Sequence, residues 1–382
     1  MDPCIRDELD SLELPDEAPG YRIERRRGGC VALERRRDML DESARVSITE
    51  MSESIAGDVG EALDRVGASG IIGPGQLVAV KVNLGGGIAG VPSSFSDPLV
   101  VEGIIDKVLE LGGRPFICEA NMRTLTMDQG LLARRAISPV LVRKGVEFVN
   151  LSELAGIDFY PLGWSRPIRL PRALLHPDVK IISVPALKHH WECGVTLAAK
   201  NMYGAICERQ KSLFHRGGSI DETVAAAARA VTPDISVLAH RQVGASLGPH
   251  FCVPVDFGYI VASDNLMAAD LVGCGFMGTD WRTVKHMQIN TGGREVPYTL
   301  VEGSTRVDDL TVARIGARAI SRAGVWFWRA LLYPQYFVPH GTQHRQIPRF
   351  EALGTWINWL FFHTRGDAWP ARWRPRWKPP GR

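Results

Sequence analysis

Between residues 77 and 263 the chain alternates short apolar, β-branched runs with longer stretches whose apolar residues recur every three or four positions. The clearest run is Val179 to Val184, closed by Pro185. Unbroken apolar runs bounded by a breaker suit strands buried on both faces of a parallel sheet. The pattern predicts strands at 77–83, 114–120, 146–150, 179–184, 235–240 and 258–263, with helices near 98–111, 128–144, 195–205, 219–231 and 265–275. Helical connections of about ten residues or more imply right-handed crossovers. The fold expected is therefore α/β, a mostly parallel sheet with helices on both faces. Asp97 before Pro98, and Gly112-Gly113 beyond the last turn, punctuate the first crossover helix as an N-cap, a first-turn proline and C-terminal glycines do. Segment 159–170, with proline at each side, reads as a hairpin insertion.

The flanks have a different character. Residues 1–70 read as a charged helical preface, because RVSITE and IAGDVGEALDRVGA carry period-3.6 apolar spacing that the glycines from 70 to 75 break. From about 306 a third region begins. Arginines 314, 318, 322 and 329 fall within about 80° of one another on a helical wheel, and Ile315, Ile320, Trp326, Phe327 and Leu331 fill the remaining arc. A basic amphipathic helix over 310–333 is expected, followed by the apolar segment 355–363 and a tail in which Trp369, Trp373 and Trp377 interleave with Arg372, Arg374 and Arg376. Prolines 370, 375, 379 and 380 favour an extended form there. The organisation expected is 1–70, an α/β core over 71–305, and a C-terminal extension over 306–382.

Composition narrows the classes of function. A net charge of +3 on 382 residues, with no basic-aromatic platform in the core, argues against nucleic acid as a partner. The seven cysteines at 4, 30, 118, 193, 207, 252 and 274 are never two or three apart, so zinc-ribbon, thioredoxin and iron–sulfur spacings are missing and no iron–sulfur cluster is expected. Scattered thiols and an N-terminus without an apolar signal core point to the cytoplasm. No run reaches the ~18 apolar residues of a membrane-spanning helix. The aromatic and basic C-terminal region instead fits peripheral attachment to an anionic membrane surface through 310–382, on the inner face.

Candidate chemistry gathers at two strand ends. In KVNLGGG, alternation puts Lys81 and Asn83 on one face, and Gly85, Gly86 and Gly87 let backbone N–H groups approach an anion, without the spacing of a Walker loop or a dinucleotide fingerprint. The second group follows Pro185: Lys188, His189 and His190, then Thr196, Lys200 and Tyr203 at i, i+4 and i+7 of the expected helix, with Asn201 beside them. Two lysines with Asn and Thr donors suit a carboxylate or phosphate, and a desolvated lysine beside another cation can lose its proton for proton transfer or Schiff-base chemistry. The blander reading pairs Lys188 and Lys200 with acidic residues elsewhere. Asp264 is positioned to cap the helix starting at Asn265, and Asp270, inside that helix, to pair with Lys81 or Lys200.

The segment SVPALKHH…GVTLAAKNMYGAI resembles the PKLKTH…TLALKNLFG core of the family catalogued as domain of unknown function 362. Lys81 and Asn83, Asp97-Pro98, Gly248-Pro249, Asp264 and Asp270 fit in order, so the resemblance covers roughly residues 75–280. This chain departs from the pattern at His189, where the family has Thr, and at Ala239-His240, where it has an Asp-Gly or Asp-Ala pair. The resemblance implies a fold and a site. Relatives with a four-cysteine ferredoxin-like module hint at redox metabolism, and this chain, lacking that module, would draw electrons from a partner.

Three readings follow. The first is an enzyme-like α/β protein binding an anionic small molecule, with Lys81, Asn83, Gly85, Gly86, Thr196, Asn201 and Asp270 as ligand-binding residues and His189, Lys188 and Lys200 as the catalytic candidates. The second is a non-catalytic ligand-binding or accessory protein attached peripherally to a membrane. The third is a metal-dependent enzyme using His189, Cys193, His240 and His250, although His-x3-Cys alone is no metal motif and no metal is assigned.

Overall fold

The computed structural model describes residues 4–305 except 16, 19–20, 26–30, 36–37, 86–91, 123–125, 162–163, 165–166, 208–210, 212–213, 216–218 and 250. The expected C-terminal extension, Gly86 and Gly87, and His250 lie outside these residues. The N-terminal part contains α1 (Ile5–Ser11), β1 (Glu17–Ala18), β2 (Tyr21–Arg25), β3 (Val31–Arg35), β4 (Arg45–Glu50) and α2 (Ile55–Arg65). The core continues with β5 (Leu77–Val82), α3 (Pro98–Glu110), β6 (Arg114–Glu119), α4 (Gln129–Arg134), α5 (Ser138–Lys144), β7 (Phe148–Asn150), β8 (Gly156–Phe159) and β9 (Ile168–Pro171). Then come α6 (Arg172–Leu175), β10 (Val179–Val184), β11 (Lys188–His190), β12 (Gly194–Thr196), α7 (Ala198–Met202) and α8 (Ile220–Ala230). The long strands β13 (Ile235–Leu247) and β14 (Phe251–Ser263), α9 (Leu266–Met277), α10 (Lys285–Thr291) and β15 (Thr299–Leu300) complete the described chain.

The main sheet runs β15-β4-β14-β13-β10-β5-β6-β7, and β14 alone on this path opposes its neighbours. The chain leaves β5 toward β6 and β7, then returns to β10 on the other side of β5 and continues to β13. Strand order thus reverses between β5 and β10, the crevice where open α/β sheets bind ligands. Val78, Val80 and Val82 of β5 pack with α2, α3, α4 and α5 on one face. Leu77 and Ala79 join the core beneath α7, α8 and α9 on the other. The α/β class with helices on both faces is as expected, and Asp97 accepts from the Leu99 amide at the start of α3 while Gly112 takes φ +77° after its end. Among the described residues no helix is long and apolar enough to cross a membrane.

Several elements differ from the sequence reading. The preface is helical at α1 and α2, but Arg45–Glu50 is a strand: its β-branched residues pair antiparallel with β14, from Val46 opposite Ser263 to Glu50 opposite Tyr259. That partner, more than two hundred residues away, outweighs a local helical spacing. The helix expected over 128–144 breaks in two where Ala136 adopts φ 56° and Pro139 starts a new first turn. The hairpin at 159–170 exists as β8 and β9 and belongs to a separate five-stranded sheet with β1, β2 and β3.

Candidate functional site

The helix expected over 195–205 divides, and this rearranges the site. Gly194–Thr196 pairs antiparallel with Lys188–His190, so β11 and β12 form a hairpin with Lys188 opposite Thr196. Only Ala198–Met202 is α-helical, and Tyr203–Ala205 continues as a 3-10 turn. Thr196 therefore faces the site from a strand, on the same side as Lys188, rather than one turn below Lys200. Asp270 explains where the short helix begins. Its carboxylate accepts from the Ala198 amide at 2.7 Å and the Ala199 amide at 3.0 Å. The expected pairing of Asp270 with a lysine is thus replaced by a helix cap reaching across from α9. Burial pushes the Asp270 carboxyl up to about 7 against these two hydrogen bonds. Nor does Asp264 cap α9: Asn265 accepts from the Met267 and Ala268 amides, and Asp264 binds Arg45 through its backbone amide and its guanidinium, both at 2.8 Å.

Lys81, at the end of β5, is wholly buried. Its ammonium lies 2.9 Å from Glu119, also wholly buried at the end of β6. It donates further to the Val82 carbonyl at 2.8 Å and to Asn201 Oδ1 at 3.4 Å, while Asn201 Nδ2 returns to the Lys81 carbonyl at 2.8 Å and to Ser183 Oγ at 3.1 Å. Glu119 also accepts from the Ala120 and Leu84 amides. Lys81 and Asn201 do meet, as expected, but in a closed network that locks α7 to β5, β6 and β10. Gly204 is part of it, because a Cβ there would stand 2.5 Å from Lys81 Nζ and 2.6 Å from Glu119 Oε1. Gly85 is covered by Met122, whose Sδ would lie 1.8 Å from an added Cβ.

Lys188, first residue of β11, reaches past the ends of β5 and β10. It donates to Asn83 Oδ1 at 2.9 Å and to the Ser94 carbonyl at 2.5 Å, two neutral acceptors. Burial, with Lys200 and Arg135 repelling the same proton, pulls the Lys188 ammonium down to about 7. Glu119 and Cys252 oppose the shift, but Glu119 is committed to Lys81 and burial pushes the Cys252 thiol up to about 11, so it is protonated near neutrality. Lys188 Cβ and Cys252 Sγ converge over Gly244, each 2.7 Å from where a Cβ there would be. Thr196 Oγ1 is buried with no hydrogen-bond partner among the described residues.

The remaining residues scatter. Lys200 is half-buried on α7, its ammonium 5.1 Å from the Tyr203 ring centroid. Alternation along β11 sends His189 to the opposite face from Lys188. There its Nε2 donates to the Met277 carbonyl at 2.9 Å, and burial lowers its pKa. His240 Nε2 donates to the Phe95 carbonyl at 3.0 Å, and Asp97, which caps α3, chelates Arg241. Among the described residues no three His, Cys, Asp or Glu side chains could jointly hold a metal ion. The sequence reading missed Glu119 and Arg135. A carboxylate closing the apolar strand RPFIC was a visible signal for Glu119, whereas the convergence of Arg135 and Cys252 on Lys188 exists only in the fold.

A thylakoid-associated protein of Synechocystis sp. (strain ATCC 27184 / PCC 6803 / Kazusa) is 26% identical over 232 residues, 58% of this chain and 69% of that protein. The profile of a domain of unknown function, DUF362, matches residues 78–275, a span holding Lys81, Glu119, Lys188, Lys200 and Asp270 and exceeding half of the 382 residues; the chain belongs to the DUF362 family.

Proposed function

We propose that this protein binds an anionic small molecule, a carboxylate or a phosphate, in the crevice between β5 and β10. The observation that carries the reading is the charge balance around Lys188. Lys200 and Arg135 both act on Lys188 there, and the carboxylate that acts on Lys188, Glu119, is already bound to Lys81. A buried ammonium whose hydrogen-bond acceptors are neutral oxygens is costly unless a ligand brings the opposite charge. The unsatisfied hydroxyl of Thr196 offers a further donor. In this reading Lys188 and Lys200 are the anion's cations, Asn83 and Thr196 orient it, and Lys81, Asn201 and Asp270 support the site from behind. His189, turned to the far side of β11, acts on the C-terminal end of α9 instead.

Calorimetric titration with phosphate and with small carboxylates tests the reading. Lys188→Met should weaken binding by about 10- to 150-fold, the equivalent of one charge-assisted hydrogen bond of roughly 1.5–3 kcal/mol. Unchanged affinity in a folded variant would refute it.

Peripheral membrane attachment is supported by one separate observation, that the Synechocystis relative is thylakoid-associated. Here the arginine-rich amphipathic pattern of 310–333 and the tryptophans of the tail would supply the contact. Co-sedimentation with anionic and neutral vesicles tests it: binding should require anionic lipid and weaken with salt.

A further inference from the structure

We propose that Lys188 is a Schiff-base lysine, whose amine condenses with the carbonyl carbon of a small 2-oxo carboxylate held in the crevice between β5 and β10. This rests on the anion-binding reading above and adds the reacting group and the substrate class.

Hydrogen-bond valence separates the two protonation states of a lysine. A neutral primary amine has two N–H donors and one lone pair; an ammonium has three donors and none. Lys188 has two acceptors among the described residues, Asn83 Oδ1 and the Ser94 carbonyl. Both are neutral carbonyl oxygens, matching an amine and leaving its lone pair unengaged. The surroundings leave a large share of the group as free amine near neutral pH: the side chain is buried, Lys200 and Arg135 repel the extra proton, and the thiol of Cys252 is itself protonated. Desolvation beside other cations is how lysines become nucleophiles near neutral pH. A glycine lets the stem lie close against the neighbouring strand. Gly244 is the residue paired with Lys188 from β13, and a Cβ at that position would stand 2.7 Å from Lys188 Cβ.

The substrate class follows from the same groups. The carbonyl carbon must meet the amine while an anionic group on the same molecule meets the cations around it, and a carboxylate adjacent to the carbonyl is the smallest arrangement that does both. In the reaction the nitrogen lone pair forms a C–N bond and the carbonyl oxygen takes up a proton, giving a carbinolamine. Thr196 Oγ1, buried opposite Lys188 without a partner among the described residues, is placed to relay the proton from nitrogen to oxygen. The carbinolamine hydroxyl then takes up a second proton, from solvent, the C–O bond breaks, water leaves, and an iminium remains. Amine, carbonyl and proton become iminium and water with no change of oxidation state. The iminium keeps one N–H for Asn83 Oδ1 or the Ser94 carbonyl, and the substrate's own carboxylate offsets its charge.

The test is reductive trapping on the full-length protein. It is incubated near neutral pH with pyruvate, glyoxylate or 2-oxoglutarate, reduced with borohydride, digested and mapped by mass spectrometry, with D-lactate and L-lactate as anions lacking a reactive carbonyl. A secondary amine should form on Lys188 with at least one oxo acid, exceeding labelling of exposed lysines by about tenfold or more, since exposed lysines are almost wholly protonated. Lactate should bind in calorimetry without leaving an adduct. Trapping in the wild-type protein requires no variant to fold, and Lys188→Met should remove the adduct. If these anions bind and no oxo acid labels Lys188, or if labelling falls evenly on other lysines, the Schiff-base assignment is wrong and the anion site stands. If phosphate alone binds, the oxo-acid assignment is wrong and the anion site stands; if neither phosphate, lactate nor any oxo acid binds, the anion reading fails with it.

Discussion

Removing Lys81 should unfold the site's scaffold rather than merely empty the site. Its ammonium and the Glu119 carboxylate are both wholly buried, 2.9 Å apart. Substituting Lys81→Met leaves the Glu119 charge with only the Ala120 and Leu84 amides, and it strips the Val82 carbonyl and Asn201 of a donor. Breaking one side of a buried pair costs about 3–5 kcal/mol, while replacing both partners with apolar groups of similar volume is near neutral. At about 2 °C per kcal/mol for a large domain, the midpoint should fall by roughly 6–10 °C. Chemical denaturation of wild type, Lys81→Met, Glu119→Leu and the double variant closes a thermodynamic cycle. The double variant should recover most of the loss, with a coupling energy above about 2 kcal/mol. Additive losses would show that the two residues do not act as a pair. Lys81→Met with an unchanged midpoint and lost anion binding would return Lys81 to the ligand-contacting role that its position at a strand end first implied.

Gly204→Ala should destabilise by about 1–3 kcal/mol, because its Cβ would stand within 2.6 Å of both members of that pair, and the loss should shrink markedly in the Lys81→Met/Glu119→Leu background when both are measured by urea unfolding. Lys188 has a folded pKa of about 7, below its ordinary value of 10.5, so the folded state binds fewer protons than the unfolded one between those values and stability should rise with pH across about 7 to 10.5. Lys188→Met should flatten that part of the stability curve; an unchanged slope would mean that Lys188 titrates normally. Asp270→Asn, which replaces one of the two oxygens that accept from the Ala198 and Ala199 amides with an NH2 donor, should cost about 1–3 kcal/mol and weaken anion binding through α7, whereas an unaltered denaturation midpoint would argue that the cap is dispensable. Iron and sulfide analysis of anaerobically purified protein should find no stoichiometric cluster; near-stoichiometric amounts of both would overturn the reading from cysteine spacing.

Much of the fold was legible in the chain itself. Val179–Val184 and Leu77–Val82 are apolar but for Lys180, Ser183 and Lys81 because both faces of those strands are covered, so composition alone marks them as central parallel strands. Asp97, Pro98 and Gly112 delimit α3 because capping chemistry is local. The strand-end position of Lys81, Asn83 and Lys188 follows from the same pattern, and with it the region where a ligand site belongs. What each residue does there depended on partners distant in sequence. Asn201 lies 120 positions from Lys81, Asn83 lies 105 from Lys188, and Asp270 lies 72 from the amide it caps. Local spacing cannot distinguish a lysine closed against Glu119 from one poised beside neutral oxygens, because Lys81 and Lys188 each follow an apolar run and neither has a carboxylate within three positions of it in sequence. The turn of the chain into the β11–β12 hairpin likewise sent His189 away from its neighbour, through strand alternation that a helix over the same residues would not have imposed. The sequence by itself determined the layers and the edge at which polar groups collect; tertiary packing decided which charges neutralise one another and which remain for a ligand, because charge pairing in a buried crevice is set by distances across strands rather than by order along them.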